Sequence, residues 1–99
     1  MVYTVNTVEF EWDHKKDESN QRKHGIKFND AVLVFYDFGH IKLLDTKHSI
    51  IEERFNIIGY SPKGVLFLVY VIKQMNRYRI ISARKATKRE RRIYEEKNK

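Results

Sequence analysis

The chain of 99 residues contains no cysteine, one proline and four glycines. The absence of cysteine excludes disulfide bonds and thiolate metal sites, so the composition does not indicate an oxidising compartment. The longest apolar run, residues 65–72, is far shorter than the ~20 residues that a membrane-spanning helix needs. The first residues lack a basic segment followed by a long apolar one, so we expect no signal peptide. Together these absences favour a cytoplasmic protein.

Several motifs of metal, nucleotide and nucleophile chemistry are also missing. The sequence has no glycine-rich phosphate loop and no GxSxG element. No two histidines are spaced i, i+4, and none lies in an HExxH pattern; they are His14, His24, His40 and His48. The sequence therefore predicts neither a metal site nor a cofactor.

Positive charge is concentrated at one end of the chain. The formal net charge is +7, and residues 77–99 hold ten of the twenty basic residues but only three acids, Glu90, Glu95 and Glu96. The rest of the chain is neutral on balance. A localised positive field attracts polyanions, of which nucleic acid is the commonest. An acidic protein and an anionic lipid surface are the alternatives.

Hydrophobic periodicity predicts an α+β fold in one domain, residues 1–99. Asp13 is the expected N-cap of the first helix and Gly25 its end, Asn29 is the expected N-cap of the second, and Thr87 with Glu90 matches a capping box. The predicted elements are a strand at 8–12, helices at 13–24 and 30–36, strands at 41–44, 52–60, 65–72 and 77–83, and a helix from residue 87. The last three strands form a meander with turns at 61–64 and 74–76, and a polar loop at 45–49 precedes it.

Alternation along the meander predicts which side chains share a sheet face. If both turns are simple hairpins, Arg54 and Arg79 lie on either side of Val71. The predicted members of this face are Arg54, Asn56, Arg77, Arg79 and, at the strand end, Lys85. The same alternation turns Arg84 towards the opposite face, which the helices should cover.

Guanidinium groups placed together on one sheet face would form a cradle for phosphate. Arginine suits this role because its planar fork binds phosphate oxygens in pairs and stays charged. The alternative is an exposed face on which each arginine pairs with a carboxylate, for which Glu11, Glu52 and Glu53 are available.

Cleavage of RNA without a metal needs a base for the 2′-OH proton, cations for the phosphorane charge and an acid for the leaving 5′ oxygen. His24 is a candidate for proton transfer because it ends the first helix beside Lys23, and histidine titrates near physiological pH. Glu53, next to Arg54, is an alternative base. Tyr94 could donate a proton or stack on a base. Each also has a structural explanation: packing for His24 and Tyr94, and a surface ion pair for Glu53.

The sequence resembles the BrnT family of toxins over most of its length. The matching motifs are FEWD at 10–13, NxxKHG at 20–25, FxxA at 28–31, VFxD at 34–37, ERF at 53–55, IG at 58–59, and RIISARKAT at 79–87 followed by Glu90 and Tyr94. The resemblance implies a RelE-like fold, in which a small antiparallel sheet has helices on one side. It also implies a type II toxin that cleaves RNA and blocks translation.

The resemblance further implies partners and site residues. The partner would be a BrnA-type antitoxin with a ribbon-helix-helix DNA-binding part, and the complex would repress its own operon by binding operator DNA. RelE-like nucleases work with basic side chains on the open sheet face. The residues implied in catalysis are Arg54, Arg79 and Arg84 as ligands of phosphate and transition state, with Lys23, His24 and Glu53 for proton transfer. Those implied in RNA binding are Arg77, Lys85 and Tyr94.

The side of the sheet on which Arg84 lies and the choice of function both stay open at this point. Arg84 belongs to the matching motif, although regular alternation turns it away from Arg79. Two other functions also fit the basic face: a non-catalytic module that binds RNA or DNA, and a protein-interaction domain whose positive patch docks an acidic partner.

Overall fold

The structure is a computed structural model that describes residues 2–5, 8–45, 53–74 and 77–99. The described strands form one sheet in the order β1-β2-β6-β5-β4-β3. They are β1 (Val2–Val5), β2 (Val8–Glu11), β3 (Ile41–Asp45), β4 (Arg54–Ser61), β5 (Gly64–Gln74) and β6 (Arg77–Lys85). The helices are α1 (His14–His24), α2 (Phe28–Ala31) and α3 (Lys88–Lys97), with a 3-10 helix at Val32–Tyr36. The predicted α+β class is confirmed.

The antiparallel meander of β4, β5 and β6 forms the centre of the sheet. Arg54 lies opposite Val71, and Val71 lies opposite Arg79, so the predicted register is confirmed. The strand β2 lies parallel to β6, and β1, which the sequence did not predict, pairs antiparallel with β2. The sheet is therefore mixed, because the chain passes through the helices and through β3, β4 and β5 before β6 returns beside β2 in the same direction.

A single buried amide attaches the polar helix α1 to the sheet. Asn20 is the only buried residue of α1, with 6% of its surface exposed. Its Nδ2 donates to the carbonyl oxygens of Ala83, at 2.7 Å, and Ile26, at 3.0 Å, and its Oδ1 accepts from the Ala83 N–H at 3.1 Å. The ends of α1 are as predicted: Asp13 caps the first turn, and Gly25 takes the left-handed conformation, φ 70°, that glycine adopts at least cost.

The second helix begins earlier than predicted and changes type. Asn29 is not its N-cap, because α2 starts at Phe28. The N-cap position is held by Lys27, whose side chain makes no capping hydrogen bond. Instead Asp17 of α1 accepts a hydrogen bond from the Phe28 N–H at 2.9 Å. This contact satisfies one of the free N–H groups of the first turn.

The 3-10 helix presses closely on the sheet. Of the inward face that the sequence predicts for residues 30–36, Ala31 at the end of α2 and Val34 are buried, and Phe35 packs against the core. A Cβ at Gly59 of β4 would lie 2.9 Å from the Cβ of Val34, so only glycine fits there without a shift.

The core lies between one face of the sheet, which we call the helix face, and the segment that runs from α1 to the 3-10 helix; no residue of α3 belongs to it. Its buried members include Phe10, Trp12, Ile26, Phe28, Ile57, Leu66, Leu68, Tyr70, Ile80 and Ala83. None of the helices in the described part of the chain has the length and apolar character that crossing a membrane requires. The predicted loop residues 46–49, Glu52 and the turn residues 75–76 lie outside the described residues.

The C-terminal helix is held by polar contacts at both ends. At its start the predicted capping box is confirmed: the Glu90 N–H donates to the Thr87 hydroxyl, and the Thr87 N–H donates to the Glu90 carboxylate. Further along, the Tyr94 hydroxyl donates to Asp37 Oδ2 at 2.5 Å, and Asn98 Nδ2 donates to the carbonyl oxygen of Gly39 at 3.0 Å. No side chain of α3 is buried, so these contacts carry its attachment.

Candidate nucleic-acid interface

A β-bulge in β6 decides which side chains share the open face of the sheet. Ser82 lies opposite Val69, but Ile80 lies opposite Tyr70, the next residue of β5. Ile81 is therefore an extra residue in β6. Side-chain alternation restarts after such a residue, and bulges are frequent beside functional sites.

The bulge brings Arg84 to the same face as Arg79. Arg79, Ser82 and Arg84 lie opposite Val71, Val69 and Phe67, which are alternate residues of β5 and so point to one side. The expectation that Arg84 turns away from Arg79 is wrong, because the extra residue shifts the alternation by one position.

The prediction that Lys85 shares this face is also wrong. Lys85 lies opposite Leu66, which is a core residue of the helix face, and the Lys85 side chain is exposed at the strand end. We call the face that carries Arg54, Arg77, Arg79 and Arg84 the arginine face. Arg54 and Arg79 flank Val71 on the two neighbouring strands, which places their backbones roughly 10 Å apart.

At least three of these arginines pair with glutamates. Arg77 Nη2 lies 2.6 Å from Glu9 Oε1, and Arg79 Nη1 lies 2.6 Å from Glu11 Oε2. Both glutamates belong to β2, the parallel neighbour of β6. The alternative in which carboxylates pair with the arginines is therefore observed for Glu11. Glu52 lies outside the described residues.

The third pair joins the arginine face to α3. Arg84 Nη1 and Nη2 donate to the two carboxylate oxygens of Glu90 at 2.8 and 3.0 Å, and the Arg84 guanidinium carbon lies 4.3 Å from the Phe67 ring centroid. Burial acts to raise the pKa of Glu90, but the bonds from Arg84 and Thr87 outweigh it and lower the pKa. The guanidinium is therefore fixed in direction by a charged partner and an aromatic ring.

A polar pocket lies where the last turns of α1 meet the bulge. We call it the α1 pocket; its volume is about 270 Å³, and it is lined by Lys16, Ser19, Asn20, Lys23, His24, Ile81 and Ser82. The structure thus brings Lys23 and His24 together with Ser82, which also stands between Arg79 and Arg84. Within the described part of the chain, no ion pair involves Lys16, Lys23 or His24, in contrast to the arginines.

The remaining predicted residues lie apart from this junction. Glu53 is exposed immediately before β4. Tyr94 lies beside Asp37, and burial together with this hydrogen bond raises the pKa of Tyr94 to about 12, so its hydroxyl keeps its proton at neutral pH. Neither residue lines the α1 pocket.

Sequence reasoning missed Lys16, Ser19 and Ser82. The serines carry no distinctive motif, and Ser82 joins the two surfaces only because of the bulge. No group of three or more histidine, aspartate or glutamate side chains that could hold a metal ion occurs among the residues that the structure describes.

Fold and surface together define a small α+β protein with a basic sheet face. A family model described as "Ribonuclease toxin, BrnT, of type II toxin-antitoxin system" matches residues 12–90. The crystal structure of the Brucella abortus ribonuclease toxin BrnT is similar, with a TM-score of 0.64 and 26% identity, over 80% of this chain and 96% of that chain. The comparison with curated proteins gave no match. The chain therefore belongs to the BrnT family of ribonuclease toxins of type II toxin–antitoxin systems, and the resemblance in its motifs is confirmed.

Proposed function

We propose that this toxin cleaves RNA, without a metal ion, where the arginine face meets the α1 pocket. The observation that carries the proposal is the position of Ser82, which lines the pocket of Lys23 and His24 and lies between Arg79 and Arg84. Cations that can stabilise charge on phosphorus and a side chain that can move a proton thereby have Ser82 as a common neighbour. Such an arrangement matches what phosphodiester cleavage requires.

The roles follow from the chemistry of each group. His24 takes the proton of the 2′-OH as its oxygen attacks phosphorus, and Lys23 gives a proton to the leaving 5′ oxygen. Arg79 and Arg84 stabilise the charge that develops on the phosphorane, and Arg54 extends this field across β5. The products are a 2′,3′-cyclic phosphate and a free 5′-OH. Glu53 is the alternative base.

The RNA path extends beyond the reacting phosphate. Arg77 continues the arginine face by one alternation from Arg79 and contacts a neighbouring phosphate. Lys85 and Tyr94 lie off that face, so their contribution to RNA binding is restricted to the strand end and the α3 side.

Family membership and the sequence motifs support what we propose for the system around the enzyme. The toxin acts in the cytoplasm as one domain and blocks translation by removing RNA. A BrnA-type antitoxin with a ribbon-helix-helix part neutralises it, and operator DNA is bound only through that complex. Arrest of growth on expression, relieved by the small protein encoded beside the toxin gene, is the expected behaviour in cells.

The enzymatic proposal is tested with purified protein, a single-stranded RNA and the DNA of the same sequence, all in excess chelator. We expect the RNA to be cut with 2′,3′-cyclic phosphate ends, while the DNA, which lacks the 2′-OH, stays intact. Cleavage that appears only after a divalent cation is added would refute the metal-independent mechanism. RNA that is bound but never cut would instead support the non-catalytic binding module.

A further inference from the structure

The helix face of the sheet is left open at one end. Four apolar side chains meet there: Leu44 lies opposite Phe55, and Ile72 lies opposite Tyr78. Leu44 is 50% exposed and Ile72 44% exposed. We call these four residues the apolar patch. An exposed apolar area of this kind marks an interaction site more often than a random surface does.

The patch rests on a rigid aromatic base. The Tyr70 ring, which is fully buried, lies 5.6 Å from the Phe55 ring and 5.4 Å from the Tyr78 ring, and thereby joins the two halves of the patch. A cleft of about 130 Å³ adjoins it, lined by Val8, Phe35, Tyr36, His40, Lys42 and Tyr78. A pre-formed cleft beside an aromatic surface is where an interface typically anchors a large side chain.

Among the described residues of the patch and the cleft, the side chain that carries a formal charge is positive. Lys42 is exposed, and its Nζ lies 5.9 Å from the Tyr78 ring centroid. His40 lines the same cleft. Among the described side chains that form the patch and the cleft there is no carboxylate, and the whole chain carries a formal charge of +7. A partner of negative charge is therefore both attracted from a distance and matched at contact.

We propose that the apolar patch is the docking site of the antitoxin, and that it receives an acidic amphipathic segment whose apolar side faces Leu44, Phe55, Ile72 and Tyr78. The proposal rests on membership of a toxin–antitoxin family, which supplies a protein partner. It separates the neutralising surface from the arginine face, since the two lie on opposite sides of the sheet. An amphipathic segment laid in an apolar groove is a common mode of such recognition.

The test uses the purified antitoxin, obtained as the product of the reading frame beside the toxin gene, and measures its affinity without RNA. Leu44→Glu and Ile72→Glu should each weaken binding about ten-fold or more, because they place a carboxylate in an apolar contact with an acidic partner. In cells these variants should still arrest growth but escape rescue by the antitoxin. Leu44→Lys should bind better than Leu44→Glu.

Phe38→Glu is the matched control, because Phe38 is a fully exposed aromatic residue outside the patch. It should remain toxic and be rescued like the wild type. Wild-type affinity in both Leu44→Glu and Ile72→Glu, or escape by Phe38→Glu alone, would overturn the proposal. Equal losses of affinity in Leu44→Lys and Leu44→Glu would overturn the inference that the partner segment is acidic. Hydrogen exchange on the wild-type complex gives a second measurement: protection should appear in β3 and at the end of β5, and its absence overturns the site.

The affinity and the RNA assay fail independently. A toxin that cuts no RNA but loses the antitoxin in Leu44→Glu contradicts the proposed ribonuclease site alone. A toxin that cuts RNA but keeps its antitoxin in both glutamate variants contradicts the docking site alone.

Discussion

The two basic surfaces that meet at Ser82 hold their charge in different ways. On the arginine face, Arg77, Arg79 and Arg84 each contact a glutamate at 2.6 to 2.8 Å. In the α1 pocket, Lys23 and His24 have no such partner among the described residues. Paired guanidinium groups are fixed in direction, which suits the stabilisation of a developing charge, whereas no charged partner among the described residues fixes the direction of Lys23 or His24. Counting basic residues in the sequence treats the two kinds alike.

Replacement of Arg79 by alanine should have the largest effect. We expect RNA cleavage to slow by roughly 10²- to 10³-fold, as when one donor to a transition-state charge is lost. The Glu11 carboxylate would keep its longer contact, 3.7 Å to Arg77 Nε. Cleavage rates on purified RNA measure the loss. Arg79→Lys keeps the charge without the planar fork, so its cleavage rate should lie between those of the wild type and Arg79→Ala. Full activity in Arg79→Ala would show that Arg79 does not belong to the site.

The α1 pocket is tested by His24→Gln, which keeps hydrogen bonding but cannot take up a proton. If His24 moves the 2′-OH proton, cleavage near neutral pH should fall about 10²-fold and one limb of the pH–rate profile should disappear. Arg22→Gln, two residues earlier on α1 and exposed, is the matched control. A His24→Gln enzyme with the wild-type pH profile would show that the imidazole is structural.

The frame of the pocket depends on an uncharged group, so its contribution should appear in stability. Asn20→Ala leaves the N–H and carbonyl oxygen of Ala83 buried without partners, which we expect to lower the free energy of unfolding by about 2–3 kcal/mol. Chemical denaturation measures the change. Ser19→Ala, on the same helix and lining the same pocket, should shift stability by less than ~0.5 kcal/mol. Similar midpoints for both variants would contradict the role of the Asn20 amide.

Acid should weaken the attachment of helix α3, which pairs with the arginine face through Glu90. The pKa of Glu90 is lowered, because the hydrogen bonds from Arg84 and Thr87 outweigh the effect of burial. The pKa of Asp37 is lowered in the same way by the hydrogen bonds from Tyr94 and the Tyr60 backbone. Such carboxylates stabilise the fold fully above their ordinary pKa values and lose this effect as pH falls through the lowered ones.

Helix α3 should therefore loosen at acid pH by about 1 kcal/mol, the usual value of a cap, while α1, held by the Asn20 amide, stays attached. Hydrogen exchange at each helix across the acid range measures the difference. Glu90→Gln should weaken the attachment of α3 at neutral pH and make it less sensitive to acid. Simultaneous loosening of α1 and α3 would contradict the expectation that acid weakens the attachment of α3 alone.

Local patterns predicted much of this fold. The ends of α1, the hairpin register that places Arg54 and Arg79 around Val71, and the capping box at Thr87 each depend on a few neighbouring residues, which the sequence displays directly. The strand β1 and the parallel pairing of β2 with β6 were not predicted, because they depend on contacts between distant parts of the chain.

The candidate site was only partly predictable for the same reason. Arg79 could be placed by alternation, but Arg84 and Lys85 could not, because nothing in an apolar pair such as Ile80 and Ile81 shows which residue leaves the ladder. The glutamate partners were equally hidden: Glu11 reaches Arg79 only through the parallel pairing of β2. The roles of the site residues remain predictions for the experiments above.

The extra residue at Ile81 has a consequence for chain length. If Ile81 were deleted, simple alternation would still direct Arg79, Ser82 and Arg84 to one side, because the remaining residues would then follow an unbroken ladder. What would be lost is curvature, since a bulge bends its strand, together with one wall of the α1 pocket. A toxin without Ile81 would therefore keep its array of cations on a straighter strand. Its cleavage rate would show how much activity depends on the bend of the strand rather than on the direction of the cations.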